Sequence, residues 1–143
     1  MDKKIFHIGD KASHIKKITK EDVQKFAEVT EDFCPIHLDE EFAKTTKFGK
    51  PISHGLLVSN LISTIMGMKM PGAGTIFLEQ NVKFLLPTYP GDTITAELEI
   101  INFIEKKNCY IVYFKGECKN QKNELIIEST AAQMLPKEYF IMI

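Results

Sequence analysis

Hydrophobic and polar positions along this chain keep one period in its first half and another in its second. Residues 11–18 alternate weakly, which predicts a first strand. Val23, Phe26, Ala27 and Thr30 then recur at helical intervals. Thr19 is placed to cap them and Asp22 to complete a capping box, so a helix is predicted from about Lys20 to Thr30. In the following EDFCPIHLD, Pro35 lacks a backbone donor and biases Cys34 away from helical geometry, which ends that helix. Asp39 is placed to cap a short second helix through Phe42 and Ala43, and Gly49-Lys50-Pro51 breaks it. From His54 the chain reads HGLLVSNLISTIMGM, apolar on nearly every face, the pattern of a helix surrounded by other structure. PGAG at 71–74 stops it.

The period then becomes two. Ile76, Leu78, Val82, Phe84 and Leu86 alternate with polar positions, and after the turn signal TYPGD so do Ile94, Ala96, Leu98 and Ile100. Further strands are predicted at Tyr110–Glu117 and, beyond the NQKN turn, at Leu125–Met134. Four consecutive strands with short connections predict an antiparallel meander with one buried face. A helix apolar all round needs cover that such a sheet supplies by curving around it. The expected class is therefore α+β, a hot-dog arrangement in which a curved antiparallel sheet wraps a long central helix. One sheet does not enclose that helix completely, so a partner subunit is expected. The apolar tail EYFIMI is either an extra edge strand or a partner contact.

Composition narrows the class. At 143 residues, the expected organisation is a single domain spanning 1–143. Lys+Arg number 18 against 19 Asp+Glu, for a net charge of -1, which lacks the basic face that nucleic acid requires. The uncharged run between Lys50 and Lys69 carries Ser, Thr, Asn and His and falls short of the roughly 20 apolar residues of a membrane span. Three cysteines (Cys34, Cys109 and Cys118) without a recognisable secretory leader point to the cytoplasm. Cys109 and Cys118, nine residues apart on one strand, are expected on opposite faces and unpaired.

The candidate chemistry is concentrated in FAEVTEDFCPIHLDEEFAKTTKFGKPISHG, residues 26–55. Asp32 and His37 pair a carboxylate with an imidazole, a combination able to orient and deprotonate one water and return a proton. Their apolar neighbours Phe33, Cys34, Pro35 and Ile36 are expected to bury the acid and raise its pKa. Gly55 opens the apolar helix, where unpaired N–H groups and the helix dipole favour developing negative charge and where a missing side chain admits close approach. Separately, Asp32 reads equally as a loop acid and His37 as a hydrogen-bonded structural histidine. His54 reads as a brace at the start of the helix. Ser63 reads either as a site residue or as a hydroxyl bonded to its own helix. A Cys34 nucleophile and a metal site from Asp32, Cys34, His37 and His54 are the rival chemistries, and the spacing matches no zinc motif.

This stretch resembles the signature of the MaoC-like hydratases, the (R)-specific enoyl-CoA hydratases. It carries D-x-x-P-x-H from Asp32, T-x-F-G from Thr46 and I-x-H-G from Ile52 in one order. The resemblance continues through GTIFLEQNVKFLLPTYPGDTITAELEI and covers about Ser13 to Leu135. It implies a dimeric hot-dog enzyme, a hydro-lyase adding water to a trans-2-enoyl thioester to give the (R)-3-hydroxyacyl product, with no cofactor and no metal. It further implies Asp32 and His37 as the catalytic pair, Gly55 as the oxyanion glycine and Ser63 as a supporting residue. His54, Leu57 and Val82 are added as supporting or pocket residues. Leu57, Leu61, Ile65 and Val82 are expected to set tunnel depth. Cys34 departs from the asparagine usual there. The implied substrate is an enoyl-CoA or acyl carrier protein thioester, and the implied assembly is a homodimer or higher homo-oligomer. A hot-dog acyl-CoA thioesterase and a non-catalytic acyl-thioester-binding module remain the competing functions.

Overall fold

The capping box forms as its residue spacing predicts. In the computed structural model, which describes residues 2–143, Asp22 N–H donates to Thr19 Oγ1 at 3.0 Å and Thr19 N–H donates to Asp22 Oδ2 at 2.9 Å. These bonds start α1 (Lys20–Thr30), which Glu31 closes in the left-handed region with φ 62°. The Thr19 backbone bond, with Lys16 beside it, holds the Asp22 carboxyl below its ordinary pKa of 3.8. Pro35 does more than stop α1. It occupies the first position of a single turn, α2 (Pro35–Leu38), where its fixed φ and missing donor suit a helix start. Asp39 caps α3 (Glu40–Lys44) through Oδ1, and the apolar run forms α4 (Gly55–Met68).

Seven strands complete the chain: β1 (Lys4–Phe6), β2 (Lys11–Lys17), β3 (Ile76–Phe84), β4 (Thr93–Glu105), β5 (Cys109–Lys119), β6 (Leu125–Pro136) and β7 (Phe140–Met142). Five of them form an antiparallel sheet in the order β2-β4-β5-β6-β3, with α4 packed across it. The helix approaches closely because Gly116 on β5 has no side chain. A Cβ there would stand 2.9 Å from Ile62 Cδ1. Ile62, Ile65 and Met66 of α4 meet Leu98, Ile100, Phe114 and Leu135 of the sheet in the core.

The expected four-strand meander is only partly realised. β4, β5 and β6 follow one another, but β3 lies beyond β6 at the far edge. β2 pairs with β4 from Lys11↔Glu99 to Lys17↔Thr93 and so occupies the edge that β3 would have taken. Residues 85–92 carry the chain back. Three strand spacings of about 4.8 Å lie within the reach of such an extended segment. The apolar tail is resolved as well. β7 pairs in parallel with β1, burying Phe140 and Met142, so it adds no edge strand to the main sheet.

Cys109 and Cys118 lie on opposite faces of β5, and all three cysteines are free thiols. Burial pushes the Cys118 thiol up to about 12. Among the described residues, no helix is long and apolar enough to cross a membrane. The sheet leaves one stripe of α4 uncovered, along Leu56, Asn60 and Met68, with Ser63 and Thr64 half-buried beside it. Ile76, Leu78 and Phe84 on β3 are exposed too.

Candidate active site

Three local devices build the polar corner of the site. Asp32 follows the left-handed residue that ends α1 and folds back on itself, its Oδ1 accepting from Cys34 N–H at 3.2 Å. Cys34 joins this turn through its backbone, and its side chain is exposed. The α2 turn then lifts His37 toward residues 52–54. Ile52 N–H donates to Ile36 O at 3.2 Å, and His37 Nδ1–H donates to Ile52 O at 2.8 Å. A carbonyl only accepts, so the proton is on Nδ1 and Nε2 is left with a free lone pair.

His54 locks this corner from behind. Its ring is 3% exposed, lies 3.8 Å from the His37 ring centroid at an interplanar angle of 27°, and has Phe26 at 4.8 Å. His54 Nε2–H donates to the Asp32 carbonyl at 3.1 Å. One carboxylate oxygen of Asp32 and one ring nitrogen each of His37 and His54 lie within 4.8 Å of one another. Two groups hydrogen-bonded to a single water stand about 4.6 Å apart. His54 Nε2 is already committed as a donor, so the cluster suits a held water better than a metal ion. The expected apolar surroundings of Asp32 are absent: its side chain is 51% exposed and Phe33 turns outward. The reason is local, because the loop after α1 runs over the surface and no element of this chain packs above it.

The other end of the site is the start of α4. No side chain caps that helix, so the orphan N–H groups of its first turn are left to other acceptors. Gly55 lines a cavity of about 490 Å³ together with His37, Phe84, Leu86, Thr88 and Ile127. Phe84 of β3 lies directly on the glycine: a Cβ at position 55 would stand 2.6 Å from Phe84 Cε1. Ser53 N–H donates to Thr88 O at 2.7 Å, which ties the segment before α4 to the returning 85–92 connection. His37 also borders a second cavity of about 270 Å³ with Gln24, Leu38 and Lys50.

The fold thus brings Asp32, His37 and His54 together and places His37 and Gly55 on one cavity. Three other candidates lie elsewhere within this chain. Ser63 is half-buried two turns along α4, Leu57 faces a groove with Phe26 and Val29, and Val82 packs on the core from β3. The cavity walls Phe84, Thr88 and Ile127 had no motif to mark them. The TYPGD turn was the one signal that the chain returns to this place.

Comparison with known proteins agrees with this fold. The family profile described as MaoC like domain matches residues 7–117. The (R)-specific enoyl-CoA hydratase of Aeromonas caviae is 44% identical over 100 residues, which is 70% of this chain and 75% of that protein. A mitochondrial 3-hydroxyacyl-[acyl-carrier-protein] dehydratase of Arabidopsis thaliana is 35% identical over 135 residues, 94% of this chain and 80% of that protein. The solved structure of the A. caviae (R)-hydratase involved in PHA biosynthesis superposes with a TM-score of 0.84 at 39% identity, covering 90% of this chain and 96% of that one.

Proposed function

This chain belongs to the MaoC-like domain family, and from that premise we propose that it is an (R)-specific enoyl-CoA hydratase. It is a hydro-lyase that reversibly adds water across the 2,3 double bond of a trans-2-enoyl-CoA to give the (R)-3-hydroxyacyl-CoA. The observation that carries the reading is the spacing of the polar corner, where an Asp32 carboxylate oxygen and a His37 ring nitrogen lie within 4.8 Å of each other, close enough to share one water. The named relatives, a hydratase and a dehydratase, work the two directions of such a reaction.

The water sits between the Asp32 carboxylate and His37 Nε2. Its oxygen bonds to C3 while the pair takes one of its protons, and the π electrons move onto the thioester as an enolate. The pair returns a proton to C2. One C–O and one C–H bond form, one π bond and one O–H bond of the water are lost, and no oxidant or reductant is needed. The enolate oxygen is received by the N–H of Gly55, where the uncapped end of α4 supplies donors and a favourable dipole. His54 braces the pair. Ser63, half-buried beside the uncovered stripe of α4, supports the site from a second copy of the chain or from its own.

That stripe, the exposed β3 side chains and the exposed Asp32 all support a homodimer whose interface covers them. Sedimentation is expected to give a mass near twice 16.3 kDa, and an active monomer would count against the interface. Three free thiols support residence in the reducing cytoplasm. Incubation with crotonyl-CoA tests the activity: the conjugated enoyl absorbance is lost without release of free thiol. Thiol release with the double bond intact would make the protein a thioesterase instead.

A further inference from the structure

The cavity that holds His37 and Gly55 changes character along its length. Val58, Ile126 and Ile127 are almost fully buried at its floor, and Lys47 and half-buried Phe48 stand at its mouth. An acyl chain suits the floor, so the carrier attached to the thioester has to leave past Lys47. A second cavity, lined by Lys20 and Lys50, meets this one at His37, and the lysines around the two divide into two groups. Lys20 pairs with Glu40 at 3.5 Å and Lys44 with Glu41 at 3.0 Å. Among the described residues, no carboxylate lies within 4.0 Å of Lys47 or Lys50. Their ammonium groups rest on aromatic faces, Lys47 at 5.4 Å from the Phe48 centroid and Lys50 at 4.7 Å from that of Tyr89.

These two perches form one unit. Tyr89 O–H donates to the Phe48 carbonyl at 3.1 Å, and Gly49, with φ 74°, turns the chain between the two lysines. A ring face steadies an ammonium group without using its N–H donors, so both cations keep their hydrogen-bonding capacity for a ligand. Asp39, the remaining nearby acid on this segment, is spent on capping α3.

We propose that Lys47, on the catalytic cavity, and Lys50, on the cavity that meets it at His37, form one phosphate subsite, and that its ligand is the phosphate at the end of the substrate's pantetheine arm. This group is common to coenzyme A and to a carrier protein. The inference rests on the hydratase reading and adds to it the part of the substrate remote from the double bond. Two exposed lysine–phosphate contacts bind ground state and transition state alike, so they lower KM and leave kcat alone.

The test compares crotonyl-CoA with crotonyl-pantetheine, which carries no phosphate, in the parent and in a Lys47→Glu/Lys50→Glu double variant. Lys115→Glu, on the sheet away from the cavity, controls for net charge. For crotonyl-CoA the double variant should raise KM by about tenfold with kcat within about twofold, from two charge contacts of modest strength each. For crotonyl-pantetheine the same variant should match the parent, and the control should match it on both substrates. Added salt should raise the parent's KM for crotonyl-CoA and leave the variant's unchanged. A KM for crotonyl-CoA that moves less than about twofold, or equal shifts on both substrates, would overturn the subsite. Hydration of neither substrate by the parent would instead overturn the hydratase reading. Crotonyl-loaded acyl carrier protein separates the sources. A matching rise in KM for it assigns the shared phosphate, whereas a rise for it alone would mean that the lysines meet an acidic protein surface and would overturn the phosphate assignment.

Discussion

The two ends of the catalytic cavity are built by opposite means. At the water end, Asp32, His37 and His54 are cross-braced by side chains bonded to distant backbone: His37 to Ile52, His54 to Asp32, one ring on the other. At the proposed oxygen end, the group assigned to the work is backbone, and what matters about Gly55 is the side chain it lacks. The first end depends on which atoms are present. The second depends on space being kept.

The largest test of that contrast removes atoms from the water end. Asp32→Asn and His37→Ala should each lower kcat by about 10²–10⁴-fold, the range for a lost acid–base group. Asp32 is half exposed, so thermal unfolding of Asp32→Asn should move little, and near-parental turnover in either variant would refute the shared water. The next test adds atoms at the oxygen end. Gly55→Ala drives a Cβ into the Phe84 ring and should cost about 10²-fold in kcat by displacing the donors. Because Phe84 is half exposed and able to swing aside, Gly55→Ala/Phe84→Leu should recover part of that loss, a rescue that no substitution outside the pair should give the water end.

His54→Phe sharpens the comparison. It keeps a ring on His37 and deletes the N–H to the Asp32 carbonyl, so kcat should fall by about tenfold while KM holds. His54→Gln restores a donor and should recover part of the loss if holding the loop is the main role. The smallest effect lies outside the cavity. The folded-state pKa of Asp22 is lowered, so its contribution is present above the unfolded value and is lost as pH falls through the folded one. Thermal scans should show the parent losing stability below about pH 4 and Asp22→Asn losing less there, because the variant lacks that contribution at every pH.

Much of the water end was legible because its signals are local. Thr19 and Asp22 set the start of α1, and five residues separate Asp32 from His37 across one proline. The oxygen end was half legible: Gly55 announces itself as the start of an apolar helix, but Phe84, Thr88 and Ile127 arrive from strands and loops far along the chain. The position of β3 was missed for the same reason. Its alternation is identical whether it pairs with β4 or β6, and only β2, some sixty residues earlier by number, decides between them. The exposure of Asp32 was not legible because its apolar neighbours in sequence are not its neighbours in space: Phe33 turns outward beside it.

Gly116 carries one last consequence. It is one point at which α4 rests closely on the sheet, with Ile62 filling the room a Cβ would need. Position 116 therefore acts as one spacer between helix and sheet. A methyl group there forces Ile62 to shift, and whatever part of that shift α4 takes up is carried along the helix to Gly55 with no contact between the two glycines. The reach of the proposed oxyanion donors is thus gauged in part from the opposite side of the core.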